Sequence, residues 1–335
     1  MAQYSIGVDL GGTNLRIAAF NLAWERLESI AIPTRVADGP HAVLSDMAQA
    51  IRRVIDAASA AGHGPGELVG IGVGSPGPIE LPEGRLLSPP NLPGFDRLEL
   101  KIELEKLLGL PVIIECDANA AALAEAHAGL GREHAVNSLC MVTLGTGVGG
   151  GIVLGGKIWH GFNGMAGEVG HVSVWPEGIV CSCGNRGCLE LFASATGIAR
   201  MAREAAAEGR SPKTRELIDH GQPVTARDVA RFAEQGDPGA LSVYDTCGRA
   251  LGLGLADMVN TLNLPLYTLG GGAAAAWPLF SPVMFRELER ASYVYRLTKP
   301  ADTSKFETGK TNIMPAQLGS DSGLLGAAMV PCFQL

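Results

Sequence analysis

Two stretches of this chain follow one plan. YSIGVDLGGTNLRIAAFNL occupies residues 4–22, and SLCMVTLGTGVGGGIVLGGKI returns to the same plan at residues 138–158. Each is an apolar alternating run, a glycine-rich bend, and a second alternating run. Alternation with a period of two predicts strand, so both bends are tips of β-hairpins. A dinucleotide fold or a P-loop would instead place a helix directly after its glycines, with GxGxxG or GxxxxGK[ST] spacing. Neither pattern is present at the first bend, where a second strand-like run follows the glycines instead of a helix. A supersecondary unit that appears twice in 335 residues implies two related domains facing one another, each with a core of ordinary size.

The remaining pattern alternates helix and strand, which predicts an α/β fold. Residues 40–62 (PHAVLSDMAQAIRRVIDAASAAG) have helical periodicity, and LVGIGVGSPGPI is a strand running into a Gly/Pro loop. A helix near 96–109 leads to the short strand PVIIEC, and DANAAALAEAHAG begins a helix with Asp117 expected at its N-cap. Helices are expected near 196–209, 226–235 and 238–262. LPLYTLGGGAAAAW reads as strand, third glycine bend and helix start, and SDSGLLGAAMVP as a closing helix.

Charge and cysteine usage narrow the class of partner. Lys plus Arg total 26 against 34 for Asp plus Glu, and no basic stripe exists, which disfavours nucleic acid as a partner. No apolar run is long enough to span a bilayer, so no membrane partner is expected. MAQYSIGVDLGG lacks the basic start and apolar run of an export signal. The seven cysteines are odd in number and mostly scattered, which fits a reducing compartment; the cytoplasm is the expected location.

The exception to that scatter is GHVSVWPEGIVCSCGNRGCLE, residues 170–190. Cys181, Cys183 and Cys188 are close enough for one ion, with His171 as a fourth ligand, and GNRG can make the reversal this requires. Ordinary surface thiols or a disulfide are the competing accounts. A catalytic zinc keeps one position open for water, whereas one histidine and three thiolates fill all four, so the expected Zn²⁺ is structural. It would leave the second imidazole nitrogen of His171 pointing in a defined direction. Glu168 precedes the segment and Glu190 ends it. Together with His171 they offer acceptors and a donor suited to neighbouring hydroxyls on a ring, unless the two carboxylates simply face solvent.

The glycine bends suggest phosphate. Residues 9–14 (DLGGTN) offer bare backbone amides, the Thr13 hydroxyl and the Asp9 carboxylate; residues 145–151 (GTGVGGG) offer the same without the acid. An acid beside phosphates makes sense with a cation between them, which implies Mg²⁺. Two matched bends plus the third at residues 270–273 point to a nucleoside triphosphate held between two domains. Asp117, at a strand-to-helix junction, is placed to accept a proton from an attacking hydroxyl, or else to cap its helix for about 1 kcal/mol.

Taken together, VDLGGTN, GVGSPGP, CDANAAALAE, LGTGVGGGI, GEVGH, CSCGNRGCLE and LGGG resemble the ROK family of sugar kinases and related repressors, and within it the bacterial glucokinases. The resemblance runs from about residue 4 to the end. It implies two ribonuclease-H-like domains around a cleft, as in the actin, Hsp70 and hexokinase superfamily. The expected extents are 1–116, 117–314 with the zinc loop, and a helix at 315–335 returning to the first domain. The implied activity is ATP-dependent phosphorylation of the 6-hydroxyl of a hexose, glucose first, in glycolysis. Mannose, fructose and N-acetylhexosamine are the alternative sugars, and a sugar-sensing regulator without turnover is the alternative class. Asp117 then corresponds to the general base, and Asn91, Glu168, His171 and Glu190 to sugar ligands. His171, Cys181, Cys183 and Cys188 correspond to the zinc set. Asp9, Gly11, Gly12, Thr13, Thr146 and Gly147 match the ATP phosphate and magnesium region, and Gly271 and Gly272 lie near the nucleoside. A homodimer or homotetramer is implied. The chain departs from the family at Cys116, where Asn is usual, at Phe95 for Trp and at Ser320 for an acid. The repressors' DNA-binding domain would precede the first strand, which here begins at Tyr4.

Overall fold

The computed structural model describes residues 3–89 and 91–333. Its two large sheets repeat one topology. The first contains β1 (Tyr4–Leu10), β2 (Asn14–Asn21), β3 (Arg26–Pro33), β4 (Leu68–Ser75) and β5 (Val112–Cys116), in spatial order β3-β2-β1-β4-β5. The second contains β6 (Leu139–Leu144), β7 (Val148–Leu154), β8 (Lys157–Ile158), β9 (Leu266–Gly270) and β10 (Asn312–Pro315), in order β8-β7-β6-β9-β10. In the first sheet β1–β2 and β2–β3 pair antiparallel, then β1–β4 and β4–β5 pair parallel. The second sheet repeats this at β7–β8 and at β9–β10. The third strand of each meander extends the hairpin that the alternation predicts.

The chain divides into two compact units. One comprises residues up to Met141, Gly151–Gly167, and the chain from Gln317 on; the other comprises Val142–Gly150 and Glu168–Ala316. The sequence expectation ended the first domain at 116. The unit instead continues beyond the helix α2 (Leu100–Leu108) through α3 (Asp117–His127), because α3 packs against the C-terminal helix Ser322–Phe333 of the same unit.

Small residues make that packing possible. Gly7 on β1 and Gly72 on β4 lie opposite one another in register. A Cβ on Gly72 would strike the Ala327 carbonyl, and one on Gly326 would strike the Ala120 carbonyl. The C-terminal helix therefore lies with its backbone almost on the sheet. Its buried Leu324, Leu325, Met329 and Val330 contribute about 1.5–3 kcal/mol each. Buried Glu125 of α3 secures the approach by accepting the Leu318 N–H at 2.7 Å.

Local signals set the other helices. In α1 (Pro40–Ala60) proline takes a first-turn position, and Val43, Leu44, Met47, Ile51, Val54 and Ala58 form a buried stripe. The helix Pro238–Leu262 also starts on a proline. There the Asp237 side chain accepts the Ala240 N–H at 2.9 Å, and Asn263 closes the helix in a left-handed conformation. Among the described residues, no helix is long and apolar enough to cross a membrane.

Candidate active site and metal centre

The first unit carries Asp9, Gly11, Gly12, Thr13, Asn91 and Asp117. The hairpin bend after β1 is closed by Gly11 N–H on Asn14 O at 3.0 Å, and held from behind by the Thr34 hydroxyl on Gly11 O at 2.7 Å and Thr34 N–H on Thr13 O at 2.8 Å. With the Gly11 and Thr13 carbonyls engaged, the amides of Gly12 and Thr13 stay outside the turn's own bonds. Gly12 lies flat against the backbone of Asn91, so the structure brings these two sequence-predicted residues together.

Asp9 has a partner that the sequence reading did not anticipate. Arg16 on β2, across the same hairpin, places Nε at 3.0 Å and Nη2 at 2.5 Å from Asp9 Oδ2, and Nη2 also donates to the Ser320 carbonyl at 2.8 Å. The period of the hairpin contains the signal: Asp9 and Arg16 are register partners.

Asp117 differs from its expected capping position. Strand β5 holds Cys116 in extended backbone, so Cys116 is the N-cap and Asp117 the first helical residue. Its Oδ1 accepts the next amide, Ala118 N–H, at 2.7 Å, and the Cys116 thiol lies 3.6 Å from the same oxygen. The carboxylate is half-buried at the helix start, where the macrodipole favours its charge. Cys116 is held protonated, its thiol pushed well up by burial and by the Asp117 charge.

The second unit carries Thr146, Gly147, Glu168, His171, Cys181, Cys183, Cys188, Glu190, Gly271 and Gly272. The bend between β6 and β7 is tied through its carbonyls: Ala195 N–H binds Gly145 O at 2.8 Å, the Thr196 hydroxyl binds Thr146 O at 2.8 Å, and Gly145 N–H binds Gly147 O at 2.9 Å. Glu190 Oε2 accepts the Val148 N–H at 3.0 Å. A side chain at Gly147 would occupy the position of that Glu190 oxygen. The bend and the end of the cysteine loop are thus one piece of structure. Gly271 and Gly272 are exposed just after β9, with Gly271 backed onto the main chain of Leu144 beside the same bend.

The cysteine segment is folded tightly. Cys181 N–H binds Asn185 O at 2.8 Å, Gly184 N–H binds Cys181 O at 2.9 Å, and Gly184 takes φ +91°, which the reversal requires. His171, Cys181, Cys183 and Cys188 present ligand atoms that all lie within 4.8 Å of one another. Cys183 and Cys188 Sγ are 3.7 Å apart, and Cys181 Sγ is 3.8 Å from His171 Nδ1. Tetrahedral zinc with bonds of about 2.3 Å to sulfur separates its thiolates by about 3.7–3.8 Å. The set fits that ion. All three cysteines are free, which removes the disulfide alternative. Burial and the neighbouring thiols push Cys188 up to about 12, whereas the backbone at Asn185 lowers Cys183; a bound cation is what would favour the Cys188 thiolate. Since Nδ1 faces the sulfurs, Nε2 is the His171 nitrogen left for other work.

Glu168 begins the short turn that carries His171, whose N–H binds Glu168 O at 3.1 Å. Protein packed around the Glu168 carboxyl raises it above its ordinary value, and the Glu190 charge adds to this while His171 acts the other way. The Glu168 carboxyl thus senses the charges of both His171 and Glu190 in this unit. Two further residues escaped the sequence reading: Glu115, a buried acid in the otherwise apolar strand β5, and His160, whose ring lies 2.7 Å from it. The signal for Glu115 was a charge inside VIIEC; no local spacing marks His160.

Known proteins repeat this fold. A model of the ROK family matches residues 5–331. The chain is 38% identical to a glucokinase of Halalkalibacterium halodurans, over 97% of this chain and 93% of the relative. Among solved structures, a ROK hexokinase from Thermus thermophilus is 31% identical with a TM-score of 0.76, covering 98% of this chain and 97% of its own. A ROK family glucokinase from Streptomyces griseus, solved in complex with glucose and AMPPNP, is 30% identical with a TM-score of 0.75, covering 98% of each chain. The fold is therefore that of the ROK sugar kinases, within the actin, Hsp70 and hexokinase superfamily.

Proposed function

This chain belongs to the ROK family, and on that premise we propose that it is an ATP-dependent glucokinase, moving the terminal phosphoryl group of ATP to the 6-hydroxyl of glucose. The observation that carries the reading is the metal-ready cluster of His171, Cys181, Cys183 and Cys188, with the Glu168 carboxyl sensing both His171 and Glu190. A zinc ion there would be structural, because four protein ligands leave no position for water. His171 Nε2 then donates to a ring hydroxyl, and the Glu168 and Glu190 carboxylates accept from its neighbours, with Asn91 as a further sugar contact. Asp117 accepts the proton of the attacking hydroxyl.

The amides at Gly12, Thr13, Thr146 and Gly147 are suited to phosphate oxygens, with Gly11 keeping the first bend closed, and Gly271 and Gly272 to close approach of the nucleoside. ATP with Mg²⁺ supplies an activated phosphoryl group and charge neutralisation when bound. Arg16 takes one oxygen of Asp9, leaving Oδ1 to face a hydrated cation. We place the protein in the cytoplasm, acting in glycolysis as a homodimer or homotetramer.

An ADP-release panel across glucose, mannose, fructose and N-acetylhexosamines at fixed ATP tests this directly. Glucose is expected to give the highest kcat/KM; release with none of these sugars would remove the proposal. The same assay has an expected acid limb. An ionised Glu168 accepts from a sugar hydroxyl more strongly than the protonated acid does, and its carboxyl is raised by its surroundings. The KM for sugar should therefore rise as pH falls through that raised value. Glu168→Gln should raise KM at every pH and flatten the limb; an unchanged limb would assign it to another group.

A further inference from the structure

Glu115 is fully buried and is the one charged residue of β5. Its Oε1 accepts the Cys116 N–H at 2.9 Å and the Asn119 Nδ2 at 2.9 Å, and its Oε2 lies 2.7 Å from His160 Nε2. An ionised carboxylate only accepts, so Nε2 carries the proton in that contact. The bond to Glu115 raises His160 above the ordinary imidazole value, with burial acting against it. A buried carboxylate is costly without a positive partner, so removing His160 weakens the support of a charge beside the start of α3.

The two groups bonded to Oε1 bracket Asp117. Cys116 precedes it as the N-cap and makes no capping bond through its side chain, while Asn119 follows it in the first turn. Glu115 thus ties the start of α3 from the strand side, and Asp117 takes its direction from that turn through Ala118 N–H. The His160 main chain is itself secured: Trp159 N–H binds Ile152 O at 2.8 Å, and Ala166 N–H binds His160 O at 3.1 Å. Ordinary packing would call for an apolar side chain at Glu115. A charged pair aimed at one helical turn suits a need for fixed direction.

We propose that Glu115 and His160 form a positioning pair that sets the aim of the Asp117 carboxylate. The proposal rests on Asp117 being the proton acceptor, since aim matters most for a group that must meet a hydroxyl. Neither member touches the reacting atoms.

Two variants measured against wild type test it: His160→Ala, and the double variant Glu115→Gln with His160→Gln. His160→Ala is expected to lower kcat about 10–100-fold, because small misplacement of a reacting group has effects of that order. Its KM for ATP and its zinc content should stay within about twofold of wild type. The double glutamine variant keeps hydrogen bonding without the buried charge and should recover most of the loss. Amide exchange in the 112–124 peptide should be faster in His160→Ala and restored in the double variant. Wild-type kcat or wild-type exchange in His160→Ala would overturn the proposal. So would a kcat loss matched by an equal loss of folded protein in near-UV circular dichroism. If wild type phosphorylates no sugar, the kinase reading fails by itself, and the exchange measurement alone decides whether the pair orders the turn.

Discussion

Asp117→Asn is expected to lower kcat by about 10²–10⁴-fold, the usual range for removing a positioned general base. Fold, zinc content and sugar affinity should stay close to wild type. The physical case is local. Asp117 is the first residue of α3, and its Oδ1 accepts the Ala118 N–H at 2.7 Å. An asparagine can keep that bond through its own Oδ1, so the turn survives and only proton acceptance is lost. Steady-state kcat, glucose titration calorimetry and thermal melting separate these effects. Turnover within a few-fold of wild type would remove Asp117 from the chemistry. A large drop in melting temperature would make its role one of helix initiation.

Cys183→Ser should abolish stoichiometric zinc and, with it, most of the sugar affinity. Cys183 is the exposed member of the ligand set, so the substitution leaves no cavity in a core and tests coordination alone. Small structural zinc sites draw about 10–16 kcal/mol of folding free energy from the ion, and one lost thiolate forfeits a large part of it. Without the ion, nothing of comparable strength holds His171 Nδ1 against Cys181. The loop between the isolated bridges Ser173–Cys188 and Val180–Arg186 would then loosen. Glu190 follows Cys188 by two residues and should lose its place beside Val148 N–H. The expected result is metal-free protein by elemental analysis, a lower melting temperature and at least a roughly tenfold weaker affinity for glucose. Wild-type affinity in zinc-free protein would show that the loop is held by other means.

Both predictions concern residues that the sequence already singles out, and the reason is spacing. One histidine and three cysteines within eighteen residues, from His171 to Cys188, meet because the intervening chain is too short and too glycine-rich to keep them apart. The hairpins were legible for the same reason: their alternation and bends are properties of adjacent residues. At Asp117 the reading was one residue out as to the cap, since β5 extends through Cys116 and local propensity does not say where a strand stops. The domain boundary was less legible. It depends on α3 meeting a helix that begins at Ser322, which glycine and alanine contacts decide and no local pattern announces.

The sequence by itself determined the duplicated strand plan, the cluster of one histidine and three cysteines and the acid at the strand-to-helix junction, because each arises among near neighbours whose geometry the backbone restricts. Tertiary structure alone decided that Arg16 reaches past Asp9 to the Ser320 carbonyl, that the C-terminal helix lies on Gly7 and Gly72, and that Glu115 meets His160 across 45 residues. Those pairings depend on which surfaces pack together, and a buried charge finds its partner only once the surrounding core has excluded water from both.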